Sequence, residues 1–377
     1  MNIVTKIKQL IEELCPNGIS YKELQDILTI KNGSDYKNLG EGDFPVYGSG
    51  GIMTYVDRFA YDKPSVLIPR KGSIDKLYYV DTPFWNVDTI FYTEINTDVA
   101  IPKFVFYCLQ KQHLEELNTA GSVPSLTQKV LNKVKIPVPP LPVQEEIVRI
   151  LDTFTELTTE LTTELTTRKQ QYEHYTYQLL NFDDTVQTHQ LRELIDFRNG
   201  KGHEKDIVSD GKYIVVNSKF ISTNGEVKKY SNKQICPLFV DDILMVMSDL
   251  PNGRALAKCF LVAEDDKYTL NQRIGAFHVM DESVIKTKFL LYVLNRNQQL
   301  LRYDNGVDQT NLRKDDILDI MIPVPSIEEQ ERIVAILDRF DTLCNDISEG
   351  LPAEIEARQK QYEYYRDKLL TFKELAK

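Results

Sequence analysis

The feature that most constrains this chain of 377 residues is an internal repeat. Residues 136–154 read IPVPPLPVQEEIVRILDTF and residues 322–340 read IPVPSIEEQERIVAILDRF, so more than half of the aligned positions are identical. A second match joins RKQQYEHYTYQLLNF at 168–182 with RQKQYEYYRDKLLTF at 358–372. Repeated segments build repeated structural units. We therefore predict two half-molecules in tandem, each with a large variable segment followed by a short conserved one.

The conserved segments have the pattern of helices. Apolar residues recur three and four positions apart from Ile147 to Leu179 and again from Ile333 to Leu369, which is typical of one helical face. Prolines precede each stretch, where they end a strand and begin a helix. We expect one long helix over about 143–182 and a second conserved helix that Gly350 and Pro352 interrupt.

The variable segments have the pattern of a mixed α/β structure. Short apolar runs such as Ser65–Ile68 and Ile243–Met247 indicate buried strands, with Gly and Asp turns between them. Helices are expected over 103–117 and 287–301. The run Tyr47–Gly51 resembles a phosphate-binding loop only loosely, and a tight turn is the favoured interpretation.

A four-residue repeat lies inside the first conserved segment, where residues 155–166 read TELT three times. Each TELT unit adds a net rotation of about 40° and a rise of about 6 Å to a helix. Leu157, Leu161 and Leu165 form an apolar stripe, which we expect to pack against the second conserved helix. A generic coiled-coil spacer is one interpretation. Its place between two large modules favours another, in which its length sets their separation and rotation.

Charge and composition restrict the classes of protein. The net charge of −11 is concentrated in the conserved segments, which carry −6 and −4, whereas the variable segments carry −1 and 0. No apolar run is long enough to cross a membrane. The N-terminus has no signal-peptide core, so a cytoplasmic protein is expected. The five cysteines are scattered, which argues against disulfides and a structural zinc site.

Signatures of catalysis are missing from the sequence. It contains no G-x-x-x-x-G-K-[ST], H-E-x-x-H, G-x-S-x-G or helix-opening G-x-G-x-x-G motif. It also lacks the N-P-P-[YF] tetrapeptide of amino-methyltransferases. We expect no catalytic residues, no metal and no cofactor in this chain.

The order of segments resembles the specificity subunit of type I restriction-modification systems, and the resemblance covers nearly the whole chain. The pattern I-P-[VL]-P-x(4)-Q-x(2)-I-V-x-I-L-D occurs twice and closes each module. Inner segments also resemble the target-recognition modules of that family: FPVYGSGGI at 44–52, VLIPRKGSI at 66–74, WNVDT at 85–89, NQRIGAF at 271–277 and DQTNLRK at 308–314.

The resemblance implies an α+β fold of two similar mixed α/β target-recognition domains, separated by two long antiparallel conserved helices in a pseudo-twofold tandem repeat. The recognition domains would be residues 1–140 and 185–325, and the spacer helices 141–184 and 326–377. Each domain would read one half of a bipartite DNA site, and the helices would set the spacer between the halves.

The resemblance also implies partners. The chain would bind double-stranded DNA and two methyltransferase (M) subunits that carry S-adenosylmethionine, and restriction (R) subunits that use ATP would join. The resemblance does not imply an association with a membrane. The chain itself would be a non-catalytic scaffold.

Candidate DNA contacts follow from the chemistry of base readout, in which Arg or Lys recognises guanine and Asn or Gln recognises adenine, with small polar groups near phosphates. In the first module these are Lys31, Asn32, Ser49, Arg70, Lys71, Ser73, Asn86, Ser125 and Thr127. In the second module they are Arg198, Lys201, Asn217, Ser218, Lys219, Ser248, Asn271, Arg273, Gln309, Thr310, Asn311 and Arg313.

Each of these signals also has a structural interpretation. Arg70–Ser73 could be a solvated turn, Gln309–Asn311 a capping turn before a helix at 312–318, and Asn271–Arg273 the end of a strand. Helix and partner contacts are expected from aromatic and apolar residues, which could equally be intramolecular core: Leu157, Leu161, Leu165, Tyr172, Tyr175, Ile336, Phe340, Tyr362 and Tyr365.

Two other classes of protein remain as alternatives. The first is a structural coiled-coil adaptor that links two protein-binding domains. The second is an enzyme in its own right, such as a methyltransferase or nuclease, which the missing motifs disfavour. Binding of duplex DNA in the presence of a methyltransferase partner separates the specificity subunit from the adaptor.

Overall fold

The computed structural model describes residues 3–118, 125–250, 255–346 and 348–375. The chain forms two compact units, unit 1 with residues 1–164 and 352–377, and unit 2 with residues 165–351. A long helix contributes its first part to unit 1 and its last part to unit 2, so both units contain a stretch of the same helix.

The described elements of unit 1 are, in chain order, α1 (Ile3–Leu14), β1 (Tyr21–Glu23), β2 (Leu28–Asn32), β3 (Phe44–Gly48), β4 (Gly51–Val56), β5 (Ser65–Pro69), β6 (Tyr78–Val80), β7 (Trp85–Asn86), β8 (Ile90–Ile95), α2 (Pro102–Lys111), α3 (Gln128–Leu131), β9 (Lys135–Pro137) and the first part of α4 (Leu141–Leu180). Short 3₁₀ turns lie at Leu24–Asp26 and Leu114–Leu117.

Unit 2 continues with β10 (Thr188–Gln190), β11 (Ile195–Asn199), β12 (Ile207–Val208), β13 (Tyr213–Val216), α5 (Ser218–Ser222), β14 (Tyr230–Ser231), β15 (Ile243–Val246), β16 (Ser248–Asp249), β17 (Cys259–Leu261), β18 (Tyr268–Leu270), β19 (Ile274–Val279), α6 (Thr287–Leu294), α7 (Gln298–Leu301), β20 (Thr310–Asn311), α8 (Lys314–Leu318), β21 (Met321–Pro323) and α9 (Ile327–Asn345). A 3₁₀ turn lies at Leu191–Glu193. Helix α10 (Leu351–Leu369) follows, and from Pro352 it belongs to unit 1.

The first sheet has the same strand order in both units, whereas the second sheet has three strands in unit 1 and four in unit 2. Unit 1 has an antiparallel sheet in the order β2-β8-β5-β6, and unit 2 has its counterpart in the order β11-β19-β15-β17. A second sheet contains a parallel pair in each unit, β3 with β7 and β13 with β18. A two-stranded antiparallel sheet, β1–β9 or β10–β21, lies just before each conserved helix. The predicted duplication is therefore confirmed at the level of strand order.

Several local predictions are confirmed and others need correction. Residues Tyr47–Gly51 form the tight turn of the β3–β4 hairpin, with Gly48 opposite Gly51. The conserved helices have the expected extents, including the break between α9 and α10. The predicted helix over 103–117 ends at Lys111, and the one over 287–301 is divided into α6 and α7.

Each unit has its own apolar core beneath the first sheet. In unit 1, Ile68 and Phe91 from the sheet pack with Phe104 of α2 and Ile147 of α4. In unit 2, Met245, Phe277, Phe289 and Ile333 form the corresponding cluster. Because the conserved helix supplies core residues to its module, the module and the start of its helix form one packed body.

Aromatic stacking pairs the conserved helices within each unit. In unit 1, Phe154 of α4 stacks on Tyr365 of α10 with ring centres 5.2 Å apart. In unit 2, Phe340 of α9 stacks on Tyr175 and Tyr172 of α4 at 5.5 and 6.0 Å. Stacked aromatic pairs contribute beyond the area they bury.

Helix α9 runs antiparallel to the last part of α4. Cys344 lies close to Lys169, whose charge opposes the rise that burial causes in the pKa of the thiol. Four residues earlier on α9, Phe340 stacks on Tyr172, three residues later on α4. Residue numbers therefore decrease along α9 in the direction in which they increase along α4, so the two helices are antiparallel.

The leucine stripe of the TELT repeat does not form the expected buried seam. Leu157 is 39% exposed, Leu161 and Leu165 are half-buried, and none of the three belongs to the buried clusters of the described residues. The repeat is stabilised differently. Threonine hydroxyls donate to carbonyls four residues earlier, as from Thr158 to Phe154 at 2.9 Å, so these polar groups are satisfied inside the helix.

A glycine at the same place in each unit permits a close backbone contact. A Cβ on Gly33 would lie 2.1 Å from the carbonyl oxygen of Val87, and one on Gly200 would lie 2.0 Å from that of Asn271. These distances are far below van der Waals contact, so only glycine fits. The repeated motifs Lys-Asn-Gly at 31–33 and Arg-Asn-Gly at 198–200 thus end the strands β2 and β11.

The substitution Gly200→Ala should destabilise unit 2, because the backbone must shift to admit the methyl group. Overpacking of this kind lowers the free energy of unfolding by about 1–3 kcal/mol or more. The melting temperature should fall by about 2–4 °C for each kcal/mol. The matched control is Gly50→Ala, which has no atom within 4 Å of the new Cβ. Equal melting temperatures for the two variants, measured by differential scanning calorimetry, would contradict the packing account.

Candidate nucleic-acid interface

A short polar ribbon lies at one end of the first sheet in unit 2. Strand β16 pairs with β20, and Ser248 is opposite Asn311. The backbone N–H of Met247, just before the ribbon, donates to the carbonyl of Arg273 at 3.0 Å. The carbonyl of Met247 accepts from Leu312 N–H at 2.8 Å. Three separate chain segments therefore meet at this edge.

Unit 1 has the same backbone arrangement at equivalent positions. Lys71 forms a bridge with Ser125, as Ser248 does with Asn311. Arg70 N–H donates to the carbonyl of Thr89, and the carbonyl of Arg70 accepts from Leu126 N–H, both at 2.9 Å. We call the surface around Lys71 and Ser125 the unit 1 ribbon, and the surface around Ser248 and Asn311 the unit 2 ribbon.

The unit 2 ribbon presents hydrogen-bonding side chains. Gln309 Nε2 donates to Ser248 Oγ at 2.8 Å and approaches Asn311 Oδ1 at 3.3 Å. Gln309 and Asn311 are exposed, whereas Ser248 and Thr310 are only 7% and 8% exposed. The Gln and Asn side chains are therefore the accessible ones, and Thr310 lies beneath them, with its hydroxyl 3.4 Å from Asp304 Oδ1.

Two further predicted residues join the unit 2 ribbon through the backbone. Lys201 forms a parallel bridge with Asn271, and Arg273 lies two residues further on. Lys201 and Arg273 are exposed and Asn271 is half-buried. The structure thus brings cationic and amide side chains to one edge.

The segment Asn217–Lys219 lies next to Asn271, whose N–H donates to the carbonyl of Val216 at 3.1 Å. Asn217 caps α5 by accepting from Phe220 N–H at 2.9 Å. Ser218 is half-buried and Lys219 is exposed on the first turn of that helix. The amide of Asn217 is therefore committed to the cap, whereas Lys219 is accessible.

In unit 1 the hairpin turn adjoins the ribbon. Ser49 N–H donates to Thr89 Oγ1 at 3.3 Å, and its hydroxyl lies 3.3 Å from the position of a Cβ on Gly72. Ser73 is half-buried in the same turn. Asn32, at the end of β2, is exposed and accepts from Gln128 Nε2 at 3.4 Å.

Helix caps account for two other predicted residues. Thr127 Oγ1 accepts from Val130 N–H at 3.4 Å at the start of α3. Arg313 precedes α8, where Asp316 accepts its N–H at 3.1 Å. The side chain of Arg313 is exposed, so the capping interaction leaves the guanidinium accessible.

The structure gives two of the predicted contacts an internal role instead. Asn86 is fully buried and donates from Nδ2 to the carbonyl of Ile90 at 2.8 Å, so it cannot meet a base edge in this conformation. Arg198 is ion-paired with the buried carboxylate of Asp242 and donates to the carbonyl of Pro237 at 3.1 Å. Both side chains therefore have partners inside the unit in this structure.

Two further predicted cations, Arg70 and Lys31, interact with neighbouring side chains of unit 1. Arg70 lies over the ring of Phe91 at 5.1 Å, and its Nε is buried without a hydrogen-bond partner. Lys31 lies 3.5 Å from Glu94, and both of these side chains are about two-fifths exposed. An exposed ion pair is weak, so Lys31 can exchange this partner for a phosphate.

Sequence reasoning missed Gln272, which is exposed between Asn271 and Arg273 and approaches Glu204 at 3.4 Å. Its position inside a predicted polar run was a signal that could have found it. It also missed His203, which is fully buried between the carbonyl of Lys201 at 2.7 Å and Thr269 Oγ1 at 2.9 Å. This histidine holds the Lys201 loop against the sheet.

The residues predicted to make helix and partner contacts differ in their surroundings. Tyr172 and Tyr365 lie in the packed pairs of conserved helices. Tyr362 packs against Tyr107 of α2, and burial raises the pKa of Tyr362 to about 12. Tyr175 stacks on Phe340 but remains 43% exposed. Ile336 and the leucines are outside the buried clusters of the described residues.

Other site types are not found among the residues that the structure describes. They contain no group of three or more His, Cys, Asp or Glu side chains suited to a metal ion. No described helix is long and apolar enough to cross a membrane.

The family of the type I restriction modification DNA specificity domain matches residues 16–168 and 183–357. The Escherichia coli type I restriction enzyme EcoR124I/EcoR124II specificity subunit is 34% identical over 306 residues, which cover 74% of this chain and 73% of that protein. A Haemophilus influenzae protein assigned as type I restriction enzyme specificity subunit S.HindORF215P is 28% identical, with 98% of each chain covered.

Solved structures share the fold. The crystal structure of the type I restriction-modification system S subunit from M. genitalium has a TM-score of 0.60 at 16% identity, covering 94% of this chain and 96% of that one. A structure on the complex assembly and conformational transition of the type I restriction-modification system has a TM-score of 0.58 at 14% identity, covering 94% and 98%.

The chain therefore belongs to the type I restriction-modification specificity subunits. It contains two DNA specificity domains and is the non-catalytic component that gives such a system its specificity. The coiled-coil adaptor and the independent enzyme are not supported by this family assignment.

Substitutions in the unit 2 ribbon should separate two kinds of DNA contact. The variant Lys201→Ala should weaken binding to all sequences and lower the salt slope of the binding constant by about one. The variant Gln309→Ala should instead weaken binding to the cognate half-site by about 1–3 kcal/mol and leave non-specific binding unchanged. Fluorescence anisotropy at several salt concentrations measures both quantities.

The matched control is Arg192→Ala, which removes the same charge at the opposite end of β11, where Arg192 pairs with Asp319. Its salt slope should equal that of the unsubstituted protein. If Arg192→Ala and Lys201→Ala reduced the slope equally, the ribbon would not be a specific phosphate contact.

Proposed function

We propose that each unit reads one half of a bipartite DNA site with its ribbon, while the conserved helices fix the spacing between the two halves. The recognition domains in this proposal are residues 1–140 and 185–325, and the spacer segments are 141–184 and 326–377. The proposed contacts have exposed or half-buried side chains: Lys31, Asn32, Ser49, Lys71, Ser73, Ser125 and Thr127 in unit 1, and Lys201, Ser218, Lys219, Asn271, Arg273, Gln309, Asn311 and Arg313 in unit 2.

One observation carries this proposal: the two ribbons share a backbone but not their side chains. Lys71 and Ser125 in unit 1 occupy the positions of Ser248 and Asn311 in unit 2. Base identity is read by hydrogen-bonding side chains, whereas the scaffold only positions them. Equal scaffolds with different side chains would therefore read two different half-sites, which makes the target asymmetric.

The acidity of the conserved segments supports different roles for the two kinds of segment, with the helices binding protein partners and the modules binding DNA. These segments carry net charges of −6 and −4, which suits a protein partner better than a phosphate backbone. The exposed Leu157 and Tyr175 on α4 are apolar surface of the kind that protein interfaces bury. We propose that two methyltransferase subunits dock along these helices.

In this proposal the methyltransferase subunits carry S-adenosylmethionine and methylate adenine in each half-site. Restriction subunits that consume ATP complete the complex. The chain itself supplies sequence recognition and geometry, and it needs no cofactor for either task.

An exchange of residues 1–135 for the equivalent segment of another specificity subunit tests the division into modules. Only one half-site should change, because the other half is read by unit 2, while the gap between the halves stays the same. Sequencing of methylated host DNA reads both half-sites and the gap. A simultaneous change of both half-sites would contradict independent reading by the two units.

Deletion of one TELT unit, for example residues 159–162, should shift the preferred gap by about one base pair. One unit rotates the helix by about 40°, which is close to the 34–36° between successive base pairs of B-DNA. Both half-site sequences should stay as they are. Altered half-sites with an unchanged gap, found by the same sequencing, would refute the role of the repeat as a ruler.

A further inference from the structure

The two units contain the same buried joint between module and helix. In unit 1, Gln144 of α4 is fully buried and its Oε1 accepts from Ile101 N–H at 2.9 Å. Its Nε2 donates to the carbonyls of Val99 at 3.0 Å and Pro139 at 2.8 Å. One amide thus ties the helix, the proline hinge and the loop that begins α2.

Unit 2 repeats these bonds at equivalent positions. Gln330 of α9 is fully buried, and its Oε1 accepts from Lys286 N–H at 2.8 Å. Its Nε2 donates to the carbonyls of Val284 at 3.0 Å and Pro325 at 2.9 Å. Only a glutamine side chain has the length, the acceptor and the two donors that this set of partners uses.

A second anchor lies eight residues further along each helix, about 12 Å away at 1.5 Å per residue. In unit 1, Asp152 accepts from Lys103 Nζ at 2.9 Å and from the Tyr107 hydroxyl, both on α2. In unit 2, Asp338 accepts from Lys288 Nζ at 2.6 Å and from the Tyr292 hydroxyl at 2.7 Å, both on α6.

Two anchors at different points along a helix restrict a rotation of the module more than one anchor alone would. With a single anchor, rotation of the module about that point is opposed only by the apolar contacts of the core, and the second anchor opposes it directly. With both anchors in place the module must follow the helix in position and in rotation. Packed joints of this kind switch between discrete arrangements rather than deforming continuously.

We propose that Gln144 with Asp152, and Gln330 with Asp338, are positioning residues that set the tolerance of the protein for the length of the DNA gap. This inference rests on the proposed function, in which helix length determines that gap. The helix can act as a ruler only if the recognition surface is fixed to it, so a loosened joint widens the range of gaps without touching any DNA contact.

The variant Gln330→Leu tests the proposal in the full chain, expressed from its own locus together with the rest of its restriction-modification system. Leucine keeps the side chain near its size but removes all three hydrogen bonds. We expect methylated sites whose gap is one base pair longer or shorter to increase by about tenfold relative to the normal gap. Both half-site sequences should be retained.

A second variant, Tyr292→Phe, loosens the other anchor while keeping the aromatic packing of Tyr292, and it should widen the gap distribution in the same direction. It keeps the proposal testable if Gln330→Leu fails to fold. The matched control is Val262→Ala, a fully buried position in a separate apolar cluster of unit 2, with Val246 and Leu270, that includes no joint residue. That control should reduce stability and total methylation but keep a single gap length.

The outcomes separate the two proposals. A single gap retained in both joint variants, with methylation reduced as in the control, would show that the joint is merely structural and would overturn this inference. If the unsubstituted protein directed methylation to no bipartite site at all, the proposed function would fail instead. Relaxed half-sites with an unchanged gap would also overturn the inference, because they would place Gln330 in base recognition.

Discussion

A buried glutamine amide that binds three backbone groups is the interaction on which the rest of this structure depends. It is made twice, by Gln144 and by Gln330, at the point where each variable module meets its conserved helix. A buried amide that lost its partners would leave several polar groups unsatisfied, which is expensive in a protein interior. The requirement explains why a glutamine lies at the same place in both copies of the repeat, among residues that otherwise supply apolar packing.

From this joint the functional surface follows by simple steps. The joint fixes α2 to α4 in unit 1 and α6 to α9 in unit 2. Helices α2 and α6 pack beneath the first sheet of their unit, and the ribbon lies at the end of that sheet. Gly33 and Gly200 allow the neighbouring strands to approach closely at the same edge. The ribbon in each unit is therefore a consequence of shared packing, whereas its side chains are free to differ. That combination suits a protein whose two halves must be built alike and read differently.

Much of this architecture was predictable from the sequence because it depends on periodic patterns. The duplication, the long helix α4 and the break at Gly350 and Pro352 all follow from spacing and from proline chemistry. The leucine stripe was not predictable in this way. Its apolar period suggested a buried seam, but the aromatic residues Phe154 and Phe340 carry the helix pairing and Leu157 remains exposed.

The ribbon residues were only partly predictable, for a physical reason. Residue type shows what a side chain can bond to, but not which partner it meets. Asn86 has the chemistry of a base reader and is instead buried against Ile90, and Arg198 is neutralised by Asp242, which is distant in sequence. In contrast, Gln309 and Asn311 have the same chemistry on an exposed strand edge. Tertiary contacts decide between these outcomes.

The most direct test of the account is the pattern of adenine methylation in host DNA, determined with the gene intact and with the gene deleted. The account predicts one bipartite motif with two different half-sites and a fixed gap, and its complete loss on deletion. A contiguous or palindromic motif that depended on this gene, or a bipartite motif that persisted without it, would contradict the claim that these two units read the two halves of one site.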